Sequence, residues 1–259
     1  MRFLVGIDDT DNLESRGTGH RARQLAAALG DRGMAPHGVT RHQLLVDPRI
    51  PYTSHNSSAC IELRAADDGL GEIVAICREF LLQESAPGSD AGLCVASLEK
   101  RVPPDDSRAR PFAPRHLDDI VDFGSRAKRT VVTAAEAERL AAAASLHLEG
   151  LTGTRIGVIG ALAAVGLRAG ADDGRFLWMP RLRELSGVHT AASLHETLGL
   201  DAIETEQGRA ATADDRVALG AWPRPLLRRG RSVLLVQEAA CEDYEWVVTA
   251  KERIKQLSE

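Results

Sequence analysis

With 259 residues, 44% of them hydrophobic and 27% charged, the chain has a globular composition and enough length for one large domain or two ordinary ones. A net charge of −5 provides no global basic field for a nucleic-acid backbone, so RNA binding would need a local patch. Four cysteines, Cys60, Cys77, Cys94 and Cys241, form no CxxC pair, which excludes a zinc ribbon and points to buried thiols in a reducing compartment.

Residues 2–7 are a compact apolar run that stops at Asp8, the pattern of a buried strand. Ala22, Leu25, Ala26 and Leu29 share one face of a helix that opens at Gly17-Thr18-Gly19 and closes at Gly33. A second strand is expected over 39–46, then a loop over 47–58 rich in Ser, Asn and Pro. A strand over 59–63, an amphipathic helix over 70–82 and a strand over 92–97 make 58–98 half of a ferredoxin-like subdomain. Pro103, Pro104, Pro111 and Pro114 stand among charges and mark a linker or exposed loop. Helices are expected over 115–128 and 134–148. The stretch Gly153 to Leu167 starts glycine-rich and then turns apolar on nearly all sides, which predicts a buried helix with close backbone packing at its start. Short strands over 176–179, 202–205, 232–237 and 245–249 and a charged helix over 250–258 complete the chain. The alternation gives an α/β class, with α+β as the alternative. The N-terminal run is too short for a signal peptide, and no apolar stretch approaches membrane-spanning length. A cytoplasmic protein without a membrane partner is expected.

The chemistry concentrates in Gly6-Ile7-Asp8-Asp9-Thr10-Asp11-Asn12. Three carboxylates come directly after a strand, and hard Mg²⁺ takes oxygen ligands, filling its shell with phosphate oxygens and water. The bland alternative is a solvated turn, which Asp and Asn favour anyway. Arg16-Gly17-Thr18-Gly19 then stand at a helix start, where free N–H groups and the helix dipole favour an anion. Thr18 as a simple N-cap, with Gly17 as a loop residue, is the competing reading there. A metal loop and an anion-binding helix start so close together are what the phosphates of a nucleotide require.

These residues resemble the N-terminal kinase-type domain of the agmatidine (2-agmatinylcytidine) synthetase family, which modifies an isoleucine tRNA. Two more stretches agree in order. The segment Ile50 to Ala59 is loosely similar to a loop of that family, and Gly157-Val158-Ile159-Gly160-Ala161-Leu162-Ala163-Ala164-Val165-Gly166 matches another closely, with Ala171-Asp172-Asp173 where the family is acidic. The resemblance covers roughly residues 1–180. It implies a kinase-type α/β domain from 1–57 and about 130–259, around a ferredoxin-like α+β subdomain of about 58–130. It implies ATP with Mg²⁺ or Mn²⁺ as cofactors, Asp8, Asp9 and Asp11 as metal ligands, and Asp8, Asp9 and Thr18 as catalytic residues. Arg16, Gly17, Thr18, Gly19, Gly157 and Gly160 would hold the nucleotide. The family's OB-fold and zinc ribbon are not expected here, and its Arg-Gly-Asn-Gly loop is altered, which argues against agmatine and the isoleucine tRNA as the expected substrates.

Three readings are open. The first is an ATP-dependent phosphotransferase or ATP-activating ligase acting on RNA or a small molecule, with a separate acceptor-presenting protein or a homo-oligomer as partner. The second is a non-catalytic nucleotide-binding or RNA-interaction module. The third, a phosphatase with Asp8 or Asp9 as nucleophile, lacks a suitable lysine, since only Lys100 and Lys128 precede residue 251. Arginine must therefore neutralise phosphate, with Arg16, Arg155 and Arg168 as candidates. His55-Asn56 and the basic segment Arg224 to Arg231 read more simply as a solvated loop and a loop leading into a strand.

Overall fold

The computed structural model describes residues 1–51, 55–98 and 116–259. Tyr52, Thr53 and Ser54 of the expected loop and the proline-bearing stretch 99–115 lie outside the described residues. Contacts gather into two compact units, Met1–Gly170 and Ala171–Glu259.

In the first unit, β1 (Arg2–Asp8) forms where Phe3, Leu4, Val5 and Ile7 bury both faces of one strand. Next come α1 (Thr18–Asp31), β2 (Ala35–Gln43), β3 (Ser57–Arg64), α2 (Leu70–Glu84) and β4 (Gly92–Leu98). The strands pair antiparallel in the order β4-β1-β3-β2, so residues 2–98 run β-α-β-β-α-β in a ferredoxin-like arrangement. The half-motif expected over 58–98 therefore finds its other half in β1, α1 and β2. Leu4, Cys60, Cys94 and Ala96 face one core with α3 (Leu117–Ala127), α4 (Ala134–Ala143) and α5 (Val158–Gly170). Alternation sends Phe3, Val5 and Ile7 to the other face, where α1 packs on β2 and β3 and α2 on β4.

Several boundaries moved for identifiable reasons. Strand β2 begins at Ala35 rather than 39, and its register shifts between Pro36 and Gly38, where a residue without an N–H is tolerated. Helix α4 stops at Ala143 because Ser145 adopts φ 56, and His147–Gly150 forms β5 on the edge of β4 where helix was expected to 148. Helix α1 ends as anticipated: Gly33 takes φ 83, and Met34 N–H donates to Leu29 O at 3.2 Å.

The second unit holds β6 (Arg175–Trp178), β7 (Val188–Thr190), α6 (Ala191–Leu198), β8 (Ala202–Glu204), β9 (Arg216–Ala218), β10 (Leu226–Arg228), β11 (Arg231–Glu238), β12 (Trp246–Val248) and α7 (Lys251–Ser258). Its strands run β6-β10-β11-β12-β9-β7, with β8 parallel to β11. Phe176, Leu194, Leu234 and Trp246 anchor its core. The elements β7, α6, β9 and β10 carry three to eight residues each, too short to show a period, and were not anticipated. The segment read as a loop, Arg224 to Arg231, is instead a tight β10–β11 hairpin turning at Arg229 (φ 49) and Gly230 (φ 75). Cys60, Cys77 and Cys94 are buried, whereas Cys241 is exposed. No helix among the described residues is long and apolar enough to cross a membrane.

Candidate functional site

Asp8 is the last residue of β1 and sits opposite Gly92 of β4. The strand period places it on the face of Leu4 and Gly6, toward α5. That helix comes unusually close, because the sequence supplies glycine wherever backbone meets backbone. A Cβ on Gly6 would overlap Ala161 O, one on Gly157 would overlap Asp90 O, and one on Gly160 would overlap the Asp8 carboxylate. Asp9 comes next with φ 51, a left-handed backbone that costs a non-glycine residue energy and turns the chain sharply off the strand.

Beside this turn lies a cavity of about 220 Å³ lined by Asp8, Asp9, Gly157 and Gly160. Leu44, Ile50, Val132 and Ile159 supply apolar wall, and Asn56 and Arg49 polar groups. Ile156, Gly157, Ile159 and Gly160 bring the start of α5 to the cavity. The helix terminus that faces this cavity is therefore that of α5, where the sequence had suggested α1.

The carboxyls of Asp8 and Asp9 are strongly perturbed. Asp8 keeps partial exposure as a residue, yet its carboxyl is enclosed. Burial first, then repulsion from Asp9 and Asp11, pushes it up to about 8 against the pull of the Asp9 backbone N–H. Burial, then Asp90 and Asp11, pushes Asp9 up to about 6, opposed by the Asp90 backbone N–H. Such a pair gains from a divalent cation, and its donors are all oxygen, so the residues fit Mg²⁺ or Mn²⁺. Among the described residues no three His, Cys, Asp or Glu side chains are grouped to hold an ion. The protein alone offers a pair, and phosphate oxygens and water would have to complete the shell.

Asp11 is engaged elsewhere. Its Oδ1 accepts the Thr18 N–H at 2.9 Å and the Thr18 hydroxyl at 2.7 Å. The same hydroxyl accepts the Thr10 N–H at 3.3 Å and the Thr10 hydroxyl at 3.2 Å. Thr18 is buried and is the first residue of α1; Gly17, not Thr18, is the N-cap, and it makes no side-chain cap. Asp11 thus occupies the positive end of α1 that the sequence had offered to phosphate. Gly17 has room for a side chain, Arg16 is exposed, and neither they nor Thr18 and Gly19 line the cavity.

The arginines expected to meet phosphate are also placed differently. Arg168 is buried and ion-paired with Glu62, which Arg2 contacts from the other side at 2.5 Å. Burial alone would raise the Glu62 carboxyl, but Arg168 and Arg2 outweigh it and hold it low. Arg155, at φ 67, packs its Cβ on Gly150 and does not line the cavity. Sequence reasoning did not single out Arg49, Thr130 or Val132, which lie far from the acidic loop in the chain; the Asp47-Pro48 turn signal was the one available hint for Arg49. His55 is exposed, and Asn56 braces the loop by donating to Leu45 O at 2.6 Å.

No protein-family model and no curated protein matches the chain. Solved structures do. A complex of TiaS with its isoleucine tRNA and ATP aligns with a TM-score of 0.50 and 22% identity, over 64% of this chain and 36% of that one. A tRNA fluorescent labeling enzyme gives 0.49 and 22% over 64% and 36%. Apo TiaS, an agmatidine synthetase for an isoleucine tRNA, gives 0.48 and 21% over 64% and 35%. At this identity the likeness is one of fold: part of the chain has a TiaS-like fold, and the chain spans about a third of the proteins it matches.

Proposed function

We propose that the chain is an ATP-dependent phosphotransferase or ATP-activating ligase, with Asp8 and Asp9 holding Mg²⁺ or Mn²⁺. The observation that carries this reading is the enclosed carboxylate pair opening into a cavity beside the glycine-padded start of α5. The cavity is smaller than the roughly 300 Å³ at which whole-ligand pockets begin, so it takes part of a nucleotide. Phosphoryl transfer asks a protein mainly for positioning and charge neutralisation, and a bound divalent cation would supply much of the latter. Gly157 and Gly160 let the start of α5 close on the beginning of β4 and on the Asp8 carboxylate at the edge of the cavity. In this proposal Asp8 and Asp9 hold the ion and Asp11 stays with Thr18. If Thr18 is a phosphoryl acceptor, Asp11 Oδ1, 2.7 Å from its hydroxyl, is placed to take the proton.

The kinase-type role, expected for 1–57 with about 130–259, belongs in this proposal to β1 and α5 of the unit Met1–Gly170, whose ferredoxin-like stretch runs over 2–98 rather than about 58–130. RNA or a small molecule is the proposed acceptor, presented by a separate protein or within an oligomer of this chain, in the cytoplasm. Support comes from the fold shared with TiaS, solved in complex with its isoleucine tRNA and ATP.

Calorimetry tests the core of the proposal. The wild-type chain should bind ATP only with Mg²⁺ or Mn²⁺, and Asp8→Asn with Asp9→Asn should abolish that binding. Unchanged affinity in the double variant would remove the metal assignment. A second reading, a nucleotide-binding or RNA-interaction module without chemistry, is favoured by the burial and full hydrogen bonding of Thr18. Incubation with γ-labelled ATP separates the two: label on Thr18 or on a cellular acceptor supports transfer, and binding without label supports the module.

A further inference from the structure

Arg49 is the one cationic residue among the described residues lining the Asp8–Asp9 cavity. It comes after Asp47-Pro48 in a tight turn closed by the Ile50 N–H, which donates to Asp47 O at 2.9 Å. Asp at the first position and Pro at the second are what such a turn favours. The guanidinium forks onto the Asp47 carboxylate, Nε donating to Oδ1 and Nη2 to Oδ2, both at 2.8 Å. The Arg49 backbone N–H adds a third bond to Oδ1 at 2.9 Å. The Arg49 side chain is 71% exposed, so water and an incoming ligand can reach the guanidinium, while Asp47, 21% exposed, holds it with both oxygens.

We propose that Arg49 is the phosphate-binding cation of this cavity, kept in place by Asp47 and passed to the ligand when a nucleoside polyphosphate enters. This inference rests on the proposed ATP site. A nucleoside triphosphate carries more negative charge than one divalent cation cancels, and Asp8 and Asp9 add to it. A further cation must therefore face the same space. Arg168 cannot serve because it is buried against Glu62, and Arg16 does not line the cavity. The fork that Arg49 presents to Asp47 is the geometry that two phosphate oxygens would take over. Asp47 is then a competitor as well as a support.

The test is a calorimetric ladder of AMP, ADP and ATP with Mg²⁺ on the full chain. Wild-type affinity should rise with phosphate number. Arg49→Ala should flatten the ladder, weakening ATP by about tenfold or more while moving AMP far less. Arg49→Lys should recover part of the loss, and Asp47→Asn should tighten ATP binding severalfold, because the competing carboxylate is gone. An unchanged ladder in Arg49→Ala overturns the inference. So does an equal loss for AMP and ATP, or an Asp47→Asn variant as weak as Arg49→Ala. Binding that responds to Arg49→Ala but not to the Asp8/Asp9 double variant would sink the metal reading alone. A wild-type chain that binds no nucleotide overturns both.

Discussion

Asp8-Asp9 stand at the end of β1 and Asp11, two residues on, pairs with Thr18 at the start of α1, and the structure gives the two pairs opposite uses. The first pair is enclosed, mutually repelling and turned toward a cavity, with both carboxyls raised to about 8 and about 6. The second is a satisfied network: one Asp11 oxygen takes two Thr18 donors, and Thr18 takes two from Thr10. A carboxylate left in an unfavourable state is available to a ligand, whereas one whose oxygen already takes two donors at a helix start is structural. The division is made at Asp9, whose left-handed turn leaves Asp8 with α5 and carries Asp11 to α1.

The largest effect that would sharpen this comparison is on pH dependence in the metal-free protein. Unfolded, Asp8 ionises near 3.8; folded, it does so at about 8. Between those values the folded state keeps a proton that the unfolded state has lost, so stability falls as pH rises. The slope is at most about 1.4 kcal/mol per pH unit. Thermal melts with chelator should show this decline from pH 4 to 8, and Asp8→Asn should flatten it. Added Mg²⁺ should stabilise the wild type more at the upper end. A melt profile identical in Asp8→Asn would mean that the enclosed charge is not where the geometry puts it.

Next in size is Gly160→Val, whose side chain would enter the space of the Asp8 carboxylate. Overpacking of this kind costs about 3 kcal/mol and should remove cation-dependent nucleotide binding. Normal stability together with normal affinity would disprove the close approach of α5 to β1.

Asp11→Ala probes the other half and should have the smallest effect. Loss of the contact at the α1 start should cost about 0.5–2 kcal/mol in denaturant melts. Cation-dependent ATP affinity should persist. If Asp11→Ala instead abolishes it as completely as the Asp8/Asp9 double variant, the comparison breaks and Asp11 is a third metal ligand.

The sequence by itself determined the parts that local pattern encodes. The apolar run of β1 ending at Asp8, the α1 face of Ala22, Leu25, Ala26 and Leu29, and the buried glycine-rich helix all carry their own period. The carboxylates were legible because nothing apolar explains three of them at a strand end. Gly157 and Gly160 were legible as close-packing positions, although what they pack against was not. Tertiary structure alone decided that α5 rather than α1 presents its start to the cavity, that Asp11 closes on Thr18, and that Arg168 is consumed by Glu62. It also brought Arg49 to the lining of that cavity. Each of those choices joins residues distant in the chain, or sets a carboxylate's direction by one backbone dihedral at Asp9. A sequence fixes which groups are available and their spacing along one strand or helix, while the partner across the sheet depends on packing that no local period records.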